Sequence, residues 1–403
     1  MEMRDISHAQ QRLKGVIHDL PLTSSKCFSE MSGAQIYLKN EHLQKTGSFK
    51  VRGAYNKIAK LVQSGGSKAV IASSAGNHAQ GVAFAASRLG VSSTIVMPRV
   101  TPLAKVLATE GYDAKVVLHG DFYDDAFDEA MRIQKETGAA FIHPFDDTDV
   151  IAGQATIGLE ILSELADVDT VLVPAGGGGL LAGVAFAVKH INPDVKVIGV
   201  QAERADAIAQ GFKRKSYVSL EDIYTIADGI AVKKPGQLTT ALINQYVDDM
   251  VTVPDGETAS AIIHLMERNK QIVEPAGAVT LAAAIYGHVN IKSKNTVCLI
   301  SGGNIDVGLI SKIIEKGLVS RGRLVKYMVL LKDVPGTLEK FSHIVAESNA
   351  NIVSVHYDRS FAELDLNEVI LHVVCEVSGF AHADMLREHL TQQGFEILQS
   401  LDK

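Results

Sequence analysis

Short runs of apolar residues alternate with longer segments of mixed polarity from about residue 70 to about residue 320. Examples of the apolar runs are 70–73, 93–97, 171–173 and 296–300, and helical spacing follows most of the runs. Fully apolar short strands that alternate with helices of about 10–15 residues are typical of βαβ units in a buried parallel sheet. Because both halves of this region carry the pattern, it predicts two α/β lobes with a cleft between them.

The pattern changes in the last part of the chain. Before the change, apolar positions between 305 and 318 share one helical face, and Asp306 is the predicted N-cap of this helix. After it, elements follow in the order βαββαβ, with a D-V-P-G turn after the first strand and Thr337 as the predicted cap of the first helix. This order is typical of a ferredoxin-like α+β domain. We therefore expect a main region at 1–322 and a separate C-terminal domain at 325–403.

The composition indicates a globular protein without a nucleic-acid or membrane partner. The 403 residues include 39 Lys and Arg against 46 Asp and Glu, a net charge of −7, and no basic run. Three cysteines lie far apart without a C-x-x-C pair, so we expect a reducing compartment and neither a disulfide framework nor a thiolate zinc site. The N-terminus lacks the apolar core of a signal peptide, and no apolar stretch reaches the ~18 residues of a membrane span. We expect a cytoplasmic protein.

One lysine is a candidate nucleophile. Lys50 lies in the segment G-S-F-K-V-R-G-A at 47–54, close to the start of a helical pattern. A lysine chosen blindly is usually a solvated side chain on a helix. An ε-amine that attacks an aldehyde must instead be unprotonated, and partial burial beside the cationic Arg52 would lower the pKa of Lys50 accordingly. The segment alone leaves both interpretations open.

Two loops between a strand and a helix are candidate anion sites. The segment S-S-A-G-N-H-A-Q-G at 73–81 and the four glycines at 176–179 have small residues where backbone N–H groups can approach a ligand. The first segment could equally be a simple turn. The second also satisfies the loose G-x-G-x-x-A fingerprint of dinucleotide sites at 177–182, but the following strand leads to Gln201 rather than to an acidic residue. A single phosphate fits the glycines better.

Other candidate chemistry is sparse. Ser301 opens the segment S-G-G-N after an apolar strand, where open α/β sheets hold ligands, although a plain turn explains it equally well. The cluster Asp146, Asp147 and Asp149 matches no calcium loop and is expected to be a solvated loop. The 14 histidines have no paired-ligand spacing, and the sequence has no H-E-x-x-H, G-x-S-x-G or P-loop motif. We expect no metal site.

Five motifs in this order resemble those of the fold type II pyridoxal-phosphate enzymes, and of the threonine dehydratases (threonine ammonia-lyases) in particular. They are G-S-F-K-V-R-G-A, S-S-A-G-N-H-A-Q-G, G-G-G-G-L, E-P-A-G-A at 274–278 and S-G-G-N. The resemblance covers about residues 5–320 and implies parallel or mixed sheets flanked by helices. The small lobe would be about 45–150 and the large lobe about 1–44 and 151–322. The C-terminal domain, with its D-V-P-G turn, resembles the ACT-like regulatory domains.

The resemblance implies a pyridoxal 5′-phosphate site built from these motifs. Lys50 would form the Schiff base with the cofactor, and Phe49 would pack against the cofactor ring. Asn77 would bind the 3′-oxygen of the ring, and Ser301 would face its nitrogen. The phosphate ligands would be the amides of Gly176, Gly177, Gly178, Gly179 and Leu180, and the residues near the substrate carboxylate would be Ser74, Asn77 and His78.

The reaction that the resemblance implies is the β-elimination of L-threonine to 2-oxobutanoate and ammonia. Lys50, freed when the substrate amine replaces it, would take the Cα proton, and the β-hydroxyl would leave after protonation by the cofactor phosphate. A hydroxyl at the pyridine nitrogen leaves the ring largely neutral and a poorer electron sink, which disfavours transamination. Because the methyl group of threonine is worth only ~1–3 kcal/mol of discrimination, we expect side activity on L-serine.

Two departures separate this chain from other members of the fold. The racemases that resemble it carry a serine where Ala75 stands, so we expect little racemisation. The relatives that bind a divalent cation carry an acidic run where this chain has Q-A-E-R-A-D-A at 201–207. Because that segment lacks two of the carboxylates, we expect no divalent metal there.

The C-terminal domain is expected to bind an amino-acid effector, which by the resemblance would be isoleucine or valine. Asp333, Gly336 and Asn351 are the expected ligand surface, because backbone amides there can receive a carboxylate. Pure dimerisation is the alternative role for this domain. The family also implies a homodimer or homotetramer. A role in isoleucine biosynthesis and one in threonine breakdown both fit the residues.

Two other functional classes stay open from the residues alone. A nucleotide-linked oxidoreductase would use the glycine loop, but it would need the acidic residue that the next strand lacks. An amino-acid sensor with a non-catalytic α/β body would have no need of Lys50, Asn77 and Ser301 together.

Overall fold

The computed structural model describes residues 1–360 and 364–401, and the chain divides into two compact units. The first unit is Met1–Ile305 and the second is Asp306–Lys403.

Helices and short strands alternate through the first unit. Its helices are α1 (Met3–Leu13), α2 (Lys26–Ser32), α3 (Lys50–Gln63), α4 (Asn77–Leu89), α5 (Leu103–Glu110), α6 (Tyr123–Thr137), α7 (Thr148–Glu164), α8 (Gly179–Ile191), α9 (Ala207–Arg214), α10 (Gln237–Tyr246), α11 (Asp255–His264) and α12 (Pro275–Ile285). Its strands are β1 (Thr23–Ser24), β2 (Gln35–Lys39), β3 (Ala69–Ser73), β4 (Ser92–Met97), β5 (Lys115–Leu118), β6 (Ala140–Phe141), β7 (Thr170–Pro174), β8 (Lys196–Ala202), β9 (Asp249–Val253) and β10 (Asn295–Leu299). Short 3-10 helices lie at Glu41–Leu43, Lys45–Gly47 and Asp228–Ile230, and a π-helix lies at Leu265–Asn269.

The strands of the first unit form two sheets. One sheet has the order β5-β4-β3-β6, and all its neighbouring strands are parallel. The other has the order β1-β2-β10-β7-β8-β9 and is parallel except that β1 runs antiparallel to β2. The predicted α/β class, with parallel or mixed sheets flanked by helices, is confirmed.

Buried strands and small helical residues explain how these layers pack. Every residue of β7 is buried, as a strand covered on both faces requires. Two glycines of the helix layer allow backbones to approach closely. A Cβ on Gly183 of α8 would lie 2.7 Å from the oxygen of Ile151 on α7, and one on Gly153 of α7 would lie 2.6 Å from the oxygen of Arg52 on α3. This packing fixes α3, the helix that begins with Lys50.

The second unit contains α13 (Val307–Ser320), β11 (Leu324–Lys332), α14 (Thr337–Glu347), β12 (Asn351–Asp358), β13 (Glu368–Glu376), α15 (Phe380–Gln392) and β14 (Glu396–Leu401). Its strands form an antiparallel sheet in the order β12-β13-β11-β14. The βαββαβ order predicted from the sequence is therefore present after α13, while the assignment to the ACT-like domains stays a prediction.

Two details at the start of the second unit concern the predicted boundaries. Asp306 caps α13 as predicted, because its Oδ1 accepts hydrogen bonds from the backbone N–H of Gly308 at 2.8 Å and of Leu309 at 3.2 Å. The predicted cap Thr337 was wrong: Thr337 is the first residue of α14, and the N-cap is Gly336, whose φ of 90° favours glycine. α13 belongs to the second unit, although the sequence pattern grouped it with the main region. The predicted domain bounds stay a prediction.

Candidate active site

Loops from both sheets of the first unit converge at the carboxyl ends of β3, β7 and β10. The backbone N–H of Phe49, just before α3, donates to the oxygen of Ser301 after β10 at 3.1 Å. Asn77, after β3, donates through its side chain to Glu274, which precedes α12. Parallel α/β sheets hold ligands at the carboxyl ends of their strands. The sequence motifs at these loops therefore form one candidate site.

Lys50 is partly buried in this site as the first residue of α3. Its Nζ donates to the oxygen of Pro144 at 2.9 Å and lies 5.3 Å from the centre of the Phe49 ring. Burial lowers the pKa of Lys50 to about 8, and the charge of Glu274 acts against this shift. A substantial neutral fraction near pH 7 is what a nucleophilic amine needs.

The predicted contribution of Arg52 to this shift was wrong. Arg52 is fully buried, and its guanidinium donates to both oxygens of Glu41, at 2.8 and 2.7 Å, and to Oε2 of Glu160 at 2.8 Å. These two carboxylates compensate its charge and hold the pKa of Arg52 above its ordinary value against the effect of burial. Burial alone accounts for the lowered pKa of Lys50.

The glycine loop between β7 and α8 presents backbone N–H groups without a protein acceptor. Within residues 1–360 and 364–401, the N–H groups of residues 176–180 find no hydrogen-bond partner, although all but the first of these residues are buried. Buried N–H groups are almost always paired, so the loop indicates an anionic ligand at the N-terminus of α8. Gly177 cannot be replaced without cost, because a Cβ there would lie 2.2 Å from the ring of Phe145.

Ser301 is buried at the end of β10, in the same group of loops. Its Oγ donates to the oxygen of Ala276 at 3.3 Å, near the upper end of the normal range. The hydroxyl can therefore turn toward a ligand at little cost.

Asn77 is held from two sides. Its Nδ2 donates to Oε1 of Glu274 at 2.7 Å, and its Oδ1 accepts from Nδ2 of Asn304 at 2.6 Å. Nδ2 of Asn304 also donates to the oxygen of Thr46 at 2.8 Å. Burial raises the pKa of Glu274 to about 7, helped by the charge of Asp228. Glu274 and Asn304 lie in the motifs E-P-A-G-A and S-G-G-N, but the sequence motifs alone indicated no role for either residue.

The remaining predicted substrate residues share one loop and helix start. His78 is buried, and its Nε2 forms a hydrogen bond of 2.8 Å with the oxygen of Ile142. Burial lowers the pKa of His78 to about 3, helped by the charge of Lys50, so its imidazole is neutral. Oγ of Ser74 accepts from the backbone N–H of Gly76 at 3.3 Å. The structure brings both residues next to Asn77, and their contact with substrate stays a prediction.

The acidic cluster at 146–149 is not simply a solvated loop. Asp146 accepts from the backbone N–H groups of Gln237 and Thr239 at the start of α10, and Asp147 is the N-cap of α7. Asp149 pairs with Lys57 at 3.1 Å. In the part of the chain that the structure describes, no group of three acidic, histidine or cysteine side chains could hold a metal ion, and no helix is long and apolar enough to cross a membrane.

The three predicted effector residues do not all lie together within a single copy of the second unit. Asp333 follows the last residue of β11, and Gly336 caps the helix after it. Asn351 lies opposite Glu376 on β13, and Glu376 lies opposite Leu324, the first residue of β11. Asp333 and Asn351 are therefore at opposite ends of the sheet, and an effector surface there stays a prediction.

Comparison with known proteins supports the same interpretation of the first unit. The family described as "Pyridoxal-phosphate dependent enzyme" matches residues 13–302. An L-threonine ammonia-lyase from Thermotoga maritima is 48% identical over 395 residues, which are 98% of this chain and 98% of the relative.

Two solved structures resemble the chain over most of its length. Processed threonine deaminase isoform 2 from Solanum lycopersicum has a TM-score of 0.74 at 37% identity, covering 78% of this chain and 87% of that one. Maize serine racemase has a TM-score of 0.74 at 36% identity, covering 79% of this chain and 98% of that one.

The residues of the site fit pyridoxal phosphate. A partly buried amine with a lowered pKa can react with the aldehyde, and the partnerless amides at 176–180 can receive the phosphate. The hydroxyl of Ser301 and the amide of Asn77 are neutral polar groups that can form hydrogen bonds with the polar atoms of such a ring.

Proposed function

Because the chain belongs to the family of pyridoxal-phosphate dependent enzymes and is a lyase, we propose that it converts L-threonine to 2-oxobutanoate and ammonia. One observation carries the proposal. Nζ of Lys50 is held by the oxygen of Pro144 in a site where burial lowers its pKa to about 8. A lysine of this kind can be a base near neutral pH, because about a tenth of it is unprotonated at pH 7, far more than of a lysine with its ordinary pKa.

Pyridoxal phosphate, when bound, withdraws electrons from Cα of the substrate and so makes the Cα proton removable. The residues of the protein bind the cofactor and orient it. The amides of residues 176–180 would hold the phosphate, and Phe49 would pack against the ring. Asn77 would bind the ring oxygen, and Ser301 would pair with the ring nitrogen. Lys50 would take the proton from Cα.

The substrate carboxylate lies in this proposal against the loop that holds Ser74, Asn77 and His78. α4 begins at Asn77, and the first N–H groups of a helix, with their favourable partial charge, can receive such an anion. His78 is neutral, so it contributes shape and a hydrogen bond to the backbone rather than charge. L-serine is a secondary substrate, because it lacks only a methyl group.

Racemisation is the second candidate activity, because maize serine racemase has a similar structure. A racemase needs a proton carrier on each face of the substrate. Ala75, which follows Ser74 in the loop, has no atom that can carry a proton. We therefore propose elimination as the main reaction.

The second unit is proposed to be an ACT-like regulatory domain at about 325–403, with isoleucine or valine as effector. Its βαββαβ order and its antiparallel sheet support this proposal. We further propose a cytoplasmic homodimer or homotetramer, in which a domain at about 1–322 carries the activity, with lobes at about 45–150 and at about 1–44 and 151–322.

Replacement of Lys50 tests the proposed function. Purified Lys50→Ala should lose 2-oxobutanoate formation from L-threonine by about a thousandfold, since a general base contributes on the order of 10²–10⁴. Lys60→Ala is the matched control, because Lys60 lies on the same helix and pairs with Asp149 away from the site. Normal turnover by Lys50→Ala, or no 2-oxobutanoate from the unmodified enzyme, would refute the proposal.

A further inference from the structure

Glu274 is the N-cap residue of α12, yet its side chain does not take part in the cap. It precedes Pro275 at the start of α12, and its side chain accepts no hydrogen bond from the N–H groups of that helix. Its carboxylate instead accepts from Nδ2 of Asn77 and from the backbone N–H of Asn304. The residue is 4% exposed, so the carboxylate is held inside the site rather than in solvent.

Two glycines leave room for this carboxylate. A Cβ on Gly302 would lie 2.2 Å from Oε1 of Glu274, and a Cβ on Gly229 would lie 3.3 Å from it. A side chain at Gly302 would therefore displace the carboxylate, and one at Gly229 would crowd it.

An amide side chain can exchange its oxygen and nitrogen by a half-turn, and only its partners decide between the two orientations. Asn77 has an acceptor, Oε1 of Glu274, at its nitrogen, and a donor, Nδ2 of Asn304, at its oxygen. The reversed orientation would place oxygen against the carboxylate oxygen and nitrogen against a donor. One Nδ2 hydrogen is used by Glu274, so the other remains for a ligand.

We propose that Glu274 is a positioning residue, which turns the amide of Asn77 toward the ring oxygen of the cofactor and places a negative charge inside the site that contains Lys50. The inference rests on the proposed function, because it takes Lys50 and Asn77 as the groups that meet the cofactor. It adds to the site a second titratable side chain.

The charges around Glu274 support this coupling. Burial and the charge of Asp228 raise the pKa of Glu274 to about 7, while Asn77, Lys105 and the backbone N–H of Asn304 act in the opposite direction. Lys105 pairs with Asp228 at 3.2 Å. The negative charge of Glu274 in turn raises the pKa of Lys50 against the effect of burial. Removal of this charge is therefore expected to lower the pKa of Lys50 further.

Two substitutions separate the charge of Glu274 from its acceptor. Glu274→Gln removes the charge and keeps an oxygen for Asn77, whereas Glu274→Ala removes both. The readout is the pH midpoint at which trinitrobenzenesulfonate labels Lys50 in the full-length chain stripped of cofactor, followed by peptide mass. Glu274→Gln should lower this midpoint by about one pH unit, which is about fivefold faster labelling at pH 7, because the neutral fraction of Lys50 rises from about a tenth to about a half. Glu257→Gln, whose carboxylate pairs with His288, should leave the midpoint unchanged.

Cofactor affinity tests the orientation of Asn77. Glu274→Gln should keep the dissociation constant of pyridoxal phosphate within about threefold, and Glu274→Ala should raise it about tenfold, which corresponds to one hydrogen bond. Asn304→Ala removes the donor to Oδ1 of Asn77 and changes no charge. It should therefore weaken cofactor binding and leave the labelling midpoint of Lys50 unchanged. It keeps the orientation testable if Glu274→Ala does not fold.

Three results would overturn this inference alone, provided that the cofactor still attaches to Lys50. They are an unchanged labelling midpoint of Lys50 in Glu274→Gln, an unchanged affinity for pyridoxal phosphate in Glu274→Ala, and an unchanged affinity for it in Asn304→Ala. Attachment of the cofactor to another side chain would instead refute the proposed function.

Discussion

Two buried regions lie next to each other along α3 and treat charge in opposite ways. On one side, Arg52 is matched by Glu41 and Glu160, and Lys39 pairs with Glu160 at 2.8 Å. On the other side, Lys50 has one neutral partner, the oxygen of Pro144. Only one residue, Val51, separates the two cations in sequence. The first region keeps its charges in fixed pairs and stabilises the fold, whereas the second leaves an amine that can lose its proton.

The comparison shows that burial alone does not mark a catalytic group. Burial raises the pKa of Glu274 and lowers the pKa of Lys50, so each is pushed toward its neutral form. Arg52 is at least as buried, but its carboxylate partners hold its pKa above the ordinary value. What separates the regions is whether the partners compensate the charge that burial disfavours.

The largest expected effect comes from breaking the compensated region. Arg52→Met leaves Glu41 buried without a partner, so the free energy of unfolding should fall by about 3–5 kcal/mol. Urea unfolding followed by circular dichroism measures the change. Arg359→Met is the control, because Arg359 forms an exposed ion pair with Asp333 and should leave the urea midpoint unchanged. Equal effects of the two substitutions would contradict the stabilising role of the buried ion pairs of Arg52.

A smaller effect is expected from a larger side chain in the glycine loop of the site that contains Lys50. Gly177→Ala places a methyl group against the ring of Phe145, and overpacking of this kind costs about 1–3 kcal/mol. The loop must shift to accept it, so the dissociation constant of pyridoxal phosphate should rise about tenfold or more. Gly256→Ala is the control, because nothing lies within 4 Å of a Cβ there. Normal affinity in Gly177→Ala would show that the glycine amides do not hold the phosphate.

Near neutral pH, the smallest effect is a pH dependence. His78 has an ordinary pKa of 6.5 when unfolded and about 3 when folded, so the unfolded chain binds more protons between these values. Its contribution to stability is therefore present above pH 6.5 and is lost as the pH falls toward 3. The free energy of unfolding should fall by about 1.4 kcal/mol per pH unit through this residue. Urea titrations at pH 6.5 and 4.5 measure how much unfolding free energy is lost between these two values. The loss should be smaller in His78→Asn than in the unmodified protein, by about 1.4 kcal/mol for each pH unit. An equal loss in the two proteins would contradict a buried neutral imidazole.

Local patterns predicted much of the fold. Strands such as β7 are buried on both faces and so appear as unbroken apolar runs, which the sequence shows directly. The cap of α13 followed from a side chain two residues from the N–H groups it binds. Thr337 failed as a cap because the chain reaches α14 through a left-handed glycine, a backbone conformation that the neighbouring hydroxyl does not reveal.

The partners within the site were beyond such patterns. Glu274 lies 197 residues from Asn77, and Asn304 lies 227 residues from it, so no spacing links them. The role expected of Arg52 was wrong for the same reason, because Glu160, 108 residues away, neutralises it together with Glu41. The motifs indicated which residues carry chemistry, but long-range contacts decide which charges are compensated.

Lys50 is the amine that we expect to react with the cofactor. Reduction of the enzyme with borohydride, followed by proteolysis and peptide mass, identifies the reacting amine. We expect one peptide that carries the added mass of reduced pyridoxal phosphate, with the label on Lys50. A label on any other lysine, or no labelled peptide from an enzyme that binds the cofactor, would refute this role of Lys50.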